Sequence, residues 1–289
     1  MDAVLLTLHD MQLWLPLVFV LGLVIGSFLN VVHLRIPAWL MNDWRTQCQA
    51  LLSDGTTQTE VAAESLWAPR SHCTACGHVL RAWENIPLLS WVLLRGRCSA
   101  CGTSISLRYP LVELSTALLS VLTALQLGAS IDALWVLLAL WLLIAMAGID
   151  AEHQLLPDLL VYPLLWLGLL RAAIDQAAIS ASEAILAAAS AYLALWLLMH
   201  AHQRLRKVQG MGHGDFKLAA ALGAWIGLQQ LPFLFLLAAV AGLLWAISTR
   251  IFGQPLERIP FGPFLALAGW VILLWPDLLM HILRLGGLA

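Results

Sequence analysis

Long, uninterrupted apolar segments are the feature that most restricts the folds open to this chain. Windows of about 20 apolar residues, the length that crosses a bilayer as a helix, recur along the 289-residue sequence. Charged residues make up only 11% of the chain, against about 25% in soluble domains. The sequence therefore predicts an all-α polytopic membrane protein of about eight transmembrane helices. The predicted spans are 13–34, 111–129, 131–149, 159–175, 181–200, 216–230, 232–248 and 262–284.

Basic residues predict which ends of these spans face the cytoplasm. If the first span runs inward, thirteen of the fifteen Lys and Arg fall on one side, which the positive-inside rule makes the cytoplasmic side. The chain then divides into a first span (1–34), a cytoplasmic loop (35–110) and a seven-span membrane core (111–289). The bilayer is thus an expected partner. A net charge of −2 argues against nucleic acid as one.

Two acidic residues at the ends of spans predict a shared site. Asp150 ends the third predicted span and Asp215 begins the sixth, and both ends face the cytoplasm in this topology. Two carboxyl groups brought close together do not both ionise, so one holds a proton while the other acts as a base. That pairing is the chemistry of an aspartic protease, in which the base activates water and the acid protonates the departing amine.

Other interpretations of these acids remain open at this point. Asp215 can be a helix cap with Lys217 as an interfacial anchor, and Asp158, after Pro157, is most simply an N-cap. A transporter that relays protons through paired acids is a second function class, although such acids are expected nearer the bilayer midplane. Asp150 is less easily explained, because the helix dipole disfavours a negative charge at a C-terminus.

Four cysteines in two pairs predict a metal site in the cytoplasmic loop. Cys73 and Cys76 form one CxxC, and Cys98 and Cys101 form the second, with 21 residues between the pairs. This spacing is typical of a four-thiolate zinc site, which is structural because no coordination position stays open. The alternative is a reduced loop without metal. The fifth cysteine, Cys48, has no partner in this pattern.

The remaining polar part of the loop carries weaker signals. Glu84 and Asn85, between the two cysteine pairs, are candidates for binding an amine or simply for starting a helix at the membrane surface. The polar segment 41–68 contains a plausible helix around 58–66 and shows no catalytic pattern.

Six motifs in order give the chain a resemblance to the type IV prepilin peptidases, which are membrane aspartic proteases that also act as N-methyltransferases. The motifs cover nearly the whole chain: "GSFLNVVHLRIP" (26–37), "ENIPLLSWVLLRGRC" (84–98), "ISLRYPLVEL" (105–114), "IDAEHQLLPD" (149–158), "GMGHGDFKL" (210–218) and "IPFGPFLALAG" (259–269). Thr74 stands where the family's first knuckle usually has Pro.

This resemblance implies a site and a substrate. It places the two catalytic aspartates on Asp150 and Asp215. It implies that the leaders of type IV prepilins and pseudopilins are removed on the cytoplasmic side of the bacterial inner membrane. The new N-terminal amine is then methylated with S-adenosylmethionine, although no glycine-rich nucleotide-binding turn reveals where.

Two alternatives stay close to this resemblance. One is a peptidase that does not methylate. The other is a presenilin-like or signal-peptide-peptidase-like protease, which shares the Gly-x-Gly-Asp signature but normally carries its first aspartate in a Tyr-Asp pair. Here Ile149 precedes Asp150.

Overall fold

The computed structural model describes residues 11–52, 70–174, 179–207, 212–253 and 259–277. Helices dominate these residues, and the β pairing among them consists of two isolated bridges, which confirms the all-α prediction. The helices are α1 (Met11–Leu52), α2 (Leu89–Leu93), α3 (Arg108–Leu127), α4 (Ile131–His153), α5 (Asp158–Ile174), α6 (Ala181–Arg206), α7 (His213–Ile226), α8 (Leu231–Ile251) and α9 (Gly262–Leu274). Short 3-10 turns occupy Ala82–Asn85 and Leu228–Gln230.

Five helices of the described residues are long and apolar enough to cross a membrane. They lie at Leu13–Leu52, Arg108–Leu127, Ile131–His153, Ala181–Leu205 and Leu228–Ile251. Each of the predicted spans overlaps a helix, but α5, α7 and α9 have 17, 14 and 13 residues, fewer than the roughly 20 of a typical span. The membrane-spanning character is therefore confirmed, whereas the count of eight spans is not.

The first helix extends far beyond the apolar window that predicted it. The window ends at residue 34, yet α1 continues to Leu52 and includes Pro37. Hydropathy reports where apolar residues stop, whereas the helix continues through polar residues with good helix propensity such as Gln47 and Gln49. The helix predicted around 58–66 lies outside the described residues.

The chain forms two compact units, residues 1–129 and 130–289. The sequence-based division at 110/111 concerns membrane topology and stays a prediction.

Close contact between α1 and α3 organises the first unit. A Cβ added to Gly22 would lie 2.7 Å from the Cα of Ala117, and one added to Gly26 would lie 2.7 Å from the Cα of Glu113. No side chain fits at such distances, so the two glycines, four positions apart, let the helix backbones meet. This small-xxx-small pattern is a common way to pack apolar helices in a membrane.

The second unit is built around the short helix α7. Ten of its fourteen residues are buried, and α5, α6 and α9 all pack against it. Trp225 anchors its end because its indole Nε1 donates to the carbonyl of Leu164 at 2.8 Å, and its ring fills the space left by Gly168. The end of α7 is thereby fixed against α5.

Replacing Gly26 by Leu should weaken the first unit. A side chain at this position must push α1 away from α3, and overpacking of this kind costs about 1–3 kcal/mol. We expect a lower Tm in detergent for Gly26→Leu than for the control Val24→Leu, at an exposed position of the same helix. Equal melting curves for the two variants would contradict the close contact.

Candidate active site and metal centre

Asp150 lies in the last turn of α4 and is buried, with 5% of its surface exposed. Its Oδ2 accepts a hydrogen bond of 2.9 Å from the backbone amide of Gly262, the first residue of α9. A Cβ on Gly262 would lie 2.6 Å from the same oxygen, so only glycine allows this approach. The sequence contained a signal for this partner, the Gly-Pro pair that opens α9, but sequence reasoning did not assign it a role.

Asp215 lies in the first turn of α7 and is also buried, with 8% of its surface exposed. Its backbone amide donates to the carbonyl of Gly212, which occupies the N-cap position. Asp215 is thus the third residue of the helix, and its carboxylate also accepts from the backbone amide of Gly212, so the side chain takes part in capping α7. The first turn suits an anion because the helix dipole is positive there.

Leu156 lies against both the segment that precedes Asp215 and the glycine that binds Asp150. A Cβ on Gly214 would lie 2.8 Å from the Cβ of Leu156, and one on Gly262 would lie 3.2 Å from its Cδ2. The carboxyl groups of Asp150 and Asp215 also interact electrostatically. Neither acid forms an ion pair with a basic side chain among the described residues. The structure therefore brings together two buried acids that lie 65 positions apart in the sequence.

An ion pair beside this site joins the starts of two helices. Lys217 Nζ lies 2.7 and 2.8 Å from the two carboxylate oxygens of Asp158, and it also lies over the ring of Tyr162 at 5.8 Å. Asp158 is the first residue of α5, and the ion pair therefore connects the start of α5 with the start of α7. As the first helical residue, Asp158 is not the N-cap, so the N-cap expectation is wrong, whereas the interfacial-anchor expectation for Lys217 stays a prediction.

The two CxxC segments adopt the same backbone structure in the first unit. In each, the amide of the following glycine donates to the first cysteine's carbonyl at 2.9 Å, from Gly77 to Cys73 and from Gly102 to Cys98. Both glycines have φ of +72°, a left-handed conformation that glycine adopts without strain. Each segment is closed by an isolated antiparallel bridge, His72 with Val79 and Arg97 with Ser104.

These two turns point four sulfur atoms at one centre. The Sγ atoms of Cys73, Cys76, Cys98 and Cys101 all lie within 4.8 Å of one another, and none is in a disulfide. Zn–S bonds of about 2.3 Å in a tetrahedron require sulfurs about 3.8 Å apart, and the Cys73 and Cys101 sulfurs are 3.9 Å apart. The cluster can hold a zinc ion, as the spacing predicted. Cys48 is exposed on α1 and is not part of it.

The environment of the sulfurs favours a bound cation. Backbone amides of Cys76 and Ala75 lower the pKa of Cys73, and hydrogen bonding with the side chain and amide of Thr103 lowers the pKa of Cys101 to about 6. The amide of His78 has the same effect on Cys76, but the neighbouring cysteine sulfurs outweigh it and raise the pKa of Cys76 to about 12. Four thiolates this close repel one another unless a metal compensates their charge.

Glu84 ties the two cysteine turns together. Its buried carboxylate accepts hydrogen bonds from the amide of Arg81 at 2.7 Å, from the hydroxyl of Ser99, and from the ring of His78 at 3.2 Å. The Arg81 amide, the Ser99 hydroxyl and His78 lower the pKa of Glu84 to about 2. The sequence offered two interpretations of Glu84, as an amine-binding residue and as the start of a helix at the membrane surface. Glu84 lies in a 3-10 turn, and hydrogen bonds within the protein occupy most of its acceptor sites.

Two family models match the chain, one within each of its two compact units. Residues 20–127 match the bacterial peptidase A24 N-terminal domain, and residues 137–247 match the type IV leader peptidase family. The chain belongs to the type IV leader peptidase family. No solved structure matches the chain.

Relatives in this family match over nearly their full length. The prepilin leader peptidase/N-methyltransferase of Stutzerimonas stutzeri is 49% identical over 271 residues, covering 91% of this chain and 92% of the relative. That of Pseudomonas aeruginosa is 46% identical over 272 residues with the same coverage of 91% and 92%. That of Neisseria gonorrhoeae is 43% identical and covers 89% of both chains. The resemblance drawn from the six motifs is confirmed.

Replacing Cys98 by Ser should remove the metal and loosen the loop. Cys98 is the buried member of the four cysteines, and a structural zinc site contributes its binding energy to folding. We expect the zinc-to-protein ratio to fall from about one to well below one, measured by elemental mass spectrometry, together with a lower Tm. Cys48→Ser is the matched control, with full zinc content. An unchanged ratio in Cys98→Ser would refute the four-thiolate site.

Proposed function

We propose that this protein is a membrane aspartic endopeptidase that removes the leader from type IV prepilins and then methylates the new N-terminal residue. Family membership and the names of three relatives, which state both activities, support this function. The names give no support to a peptidase that does not methylate. They also favour this family over the presenilin-like alternative and over a proton-relaying transporter.

The observation that carries the peptidase proposal is the pair of buried acids, Asp150 and Asp215, at neighbouring helix ends. Burial in an apolar bundle makes two nearby negative charges costly. The pair is therefore suited to share one proton, as the dyad of an aspartic protease does. No metal or covalent enzyme intermediate is needed for that reaction.

The two acids have different roles in hydrolysis. The ionised carboxylate takes a proton from a water molecule as the water oxygen attacks the peptide carbonyl. The protonated carboxyl then gives its proton to the departing nitrogen, so the C–N bond breaks and a free amine leaves. After release, the pair again holds one proton in total.

Gly262 prepares Asp150 for this role. Its amide occupies Oδ2 of Asp150 at 2.9 Å, which fixes the carboxyl group and leaves Oδ1 for water. The Lys217–Asp158 ion pair joins the starts of α7 and α5, and so helps to hold in place the turn that carries Asp215. Reacting groups held in this way need little reorganisation during the reaction.

Substrate orientation follows from the distribution of basic residues. The acids share the predicted cytoplasmic side with most Lys and Arg, so a basic leader remains in the cytoplasm while the apolar stem of the prepilin enters the bilayer. Pseudopilins, with the same kind of stem, are the second proposed substrate class. The bacterial inner membrane is the corresponding location.

Replacing either acid by its amide should abolish leader removal. Asp150→Asn and Asp215→Asn each remove one proton-transfer group, and such a group contributes about 10²- to 10⁴-fold. Cleavage of a co-expressed prepilin, followed by mass spectrometry of its N-terminus, measures the effect. Exposed Glu152→Gln is the control on the same helix.

The same experiment separates the two activities. A pre-cleaved substrate should still be methylated by Asp150→Asn protein. Full cleavage by either variant would rule out the dyad, and loss of both activities together would indicate that they share one centre.

Replacing Gly262 by Ala should reduce cleavage without unfolding the protein. The new Cβ must displace the Asp150 carboxylate or the start of α9, and a misplacement of about 1 Å can cost about 10²-fold in rate. Gly242→Ala is the control, because its Cβ would meet the Phe264 ring at an ordinary 3.4 Å. Equal cleavage rates for the two variants would show that the Gly262 amide does not hold Asp150.

A further inference from the structure

The first unit contains a large cavity that the peptidase chemistry does not use. Its volume is about 890 Å³, within the usual range of about 300–1,000 Å³ for small-molecule sites. It is lined by α1, by the loop that carries the cysteines and by the start of α3. The charged residues in its lining are Arg35, Glu84 and Glu113.

Glu113 is the acid in this cavity with capacity for a ligand. It is buried, with 8% of its surface exposed, and its two hydrogen-bond partners are neutral donors, the amide of Leu88 at 2.8 Å and the hydroxyl of Ser27. A carboxylate has about four acceptor sites, so about two remain. An acid inside an apolar helix is by default a functional candidate whose counter-charge must be identified.

Asn30 provides a second, independent sign of a ligand. Its side chain is buried, with 4% of the residue exposed, and its amide nitrogen donates to the carbonyls of Gly26 and Tyr109. Its Oδ1 has no hydrogen-bond partner within the described residues. A buried acceptor without a partner costs about 1–3 kcal/mol, a cost that a donor on a bound molecule would remove.

We propose that this cavity binds S-adenosylmethionine and that Glu113 is the binding residue for the positive charge of the methyl donor. The inference rests on the methyltransferase half of the proposed function and deepens it by assigning the site. The sulfonium of the donor is cationic, and Glu113 compensates that charge. Asn30 Oδ1 accepts from an N–H group, and Trp39 and Tyr109, which also line the cavity, provide aromatic faces for the adenine.

Glu113 is better suited to this role than Glu84. The carboxylate of Glu84 is used by Arg81, Ser99 and His78, which hold the cysteine turns. When bound, the donor would supply a methyl carbon: the amine nitrogen bonds to it, the C–S bond breaks with its electron pair left on sulfur, and the proton that the nitrogen gives up passes to water. The spare acceptor positions of Glu113 suit the sulfonium, whose positive charge is present before the methyl transfer and is lost with it.

Binding measurements with two ligands that differ in the charge on sulfur test the role of Glu113. S-adenosylhomocysteine lacks the methyl group and is neutral at sulfur. In titrations of the full-length protein in nanodiscs, Glu113→Gln should weaken S-adenosylmethionine binding by about tenfold or more and S-adenosylhomocysteine binding by much less. Asp43→Asn is the control, since it removes one negative charge from α1 outside the cavity lining and should leave both affinities unchanged.

Labelling of the wild-type protein tests the location and does not depend on how the variant folds. Ultraviolet irradiation with radiolabelled S-adenosylmethionine should attach label to peptides from 27–42 or 71–113. Label confined to 130–289, or a Glu113→Gln protein that binds both ligands like wild type or loses both equally, would overturn the assignment. Absence of any binding to wild type would instead remove the methyltransferase function itself.

Discussion

Burying two acids within an apolar helix bundle is the constraint on which the second unit depends. A carboxylate out of water needs donors, a counter-charge or a proton. Asp150 receives one backbone amide, from Gly262, and Asp215 lies in the positively polarised first turn of α7. We propose that the remaining cost is met by sharing a proton, which is the state that peptide hydrolysis requires. The same burial that destabilises two charges therefore creates the proposed acid and base.

Glycine residues allow the close backbone contacts on which both units depend. Gly262 lets an amide reach Asp150, and Gly214 lets the segment before Asp215 reach Leu156. In the first unit, Gly26 brings α1 against Glu113, so the buried acid of the cavity is held at a helix contact. Each of these glycines lies beside an acid, which ties the packing of the helices to the chemistry of both proposed sites.

The metal site and the proposed methyl-donor cavity both lie in the first unit. Two identical cysteine turns are joined by Glu84, and this loop lines the cavity together with α1 and α3. A loop with little apolar core needs such a staple. We therefore regard zinc as a structural support for the proposed donor site, while Asp150 and Asp215 belong to a unit with its own helices.

The sequence by itself determined the helical membrane class, the four metal-binding cysteines and the candidate acids, because apolar length, CxxC spacing and acids at span ends are local patterns. It did not reveal the extension of α1 to Leu52, because a helix does not end where hydrophobicity ends. Only the tertiary structure decided that Gly262 donates to Asp150, that Asp158 binds Lys217 and that Glu113 lines a cavity. These contacts join residues far apart in the chain, and they exist only once helix packing has brought the backbones together.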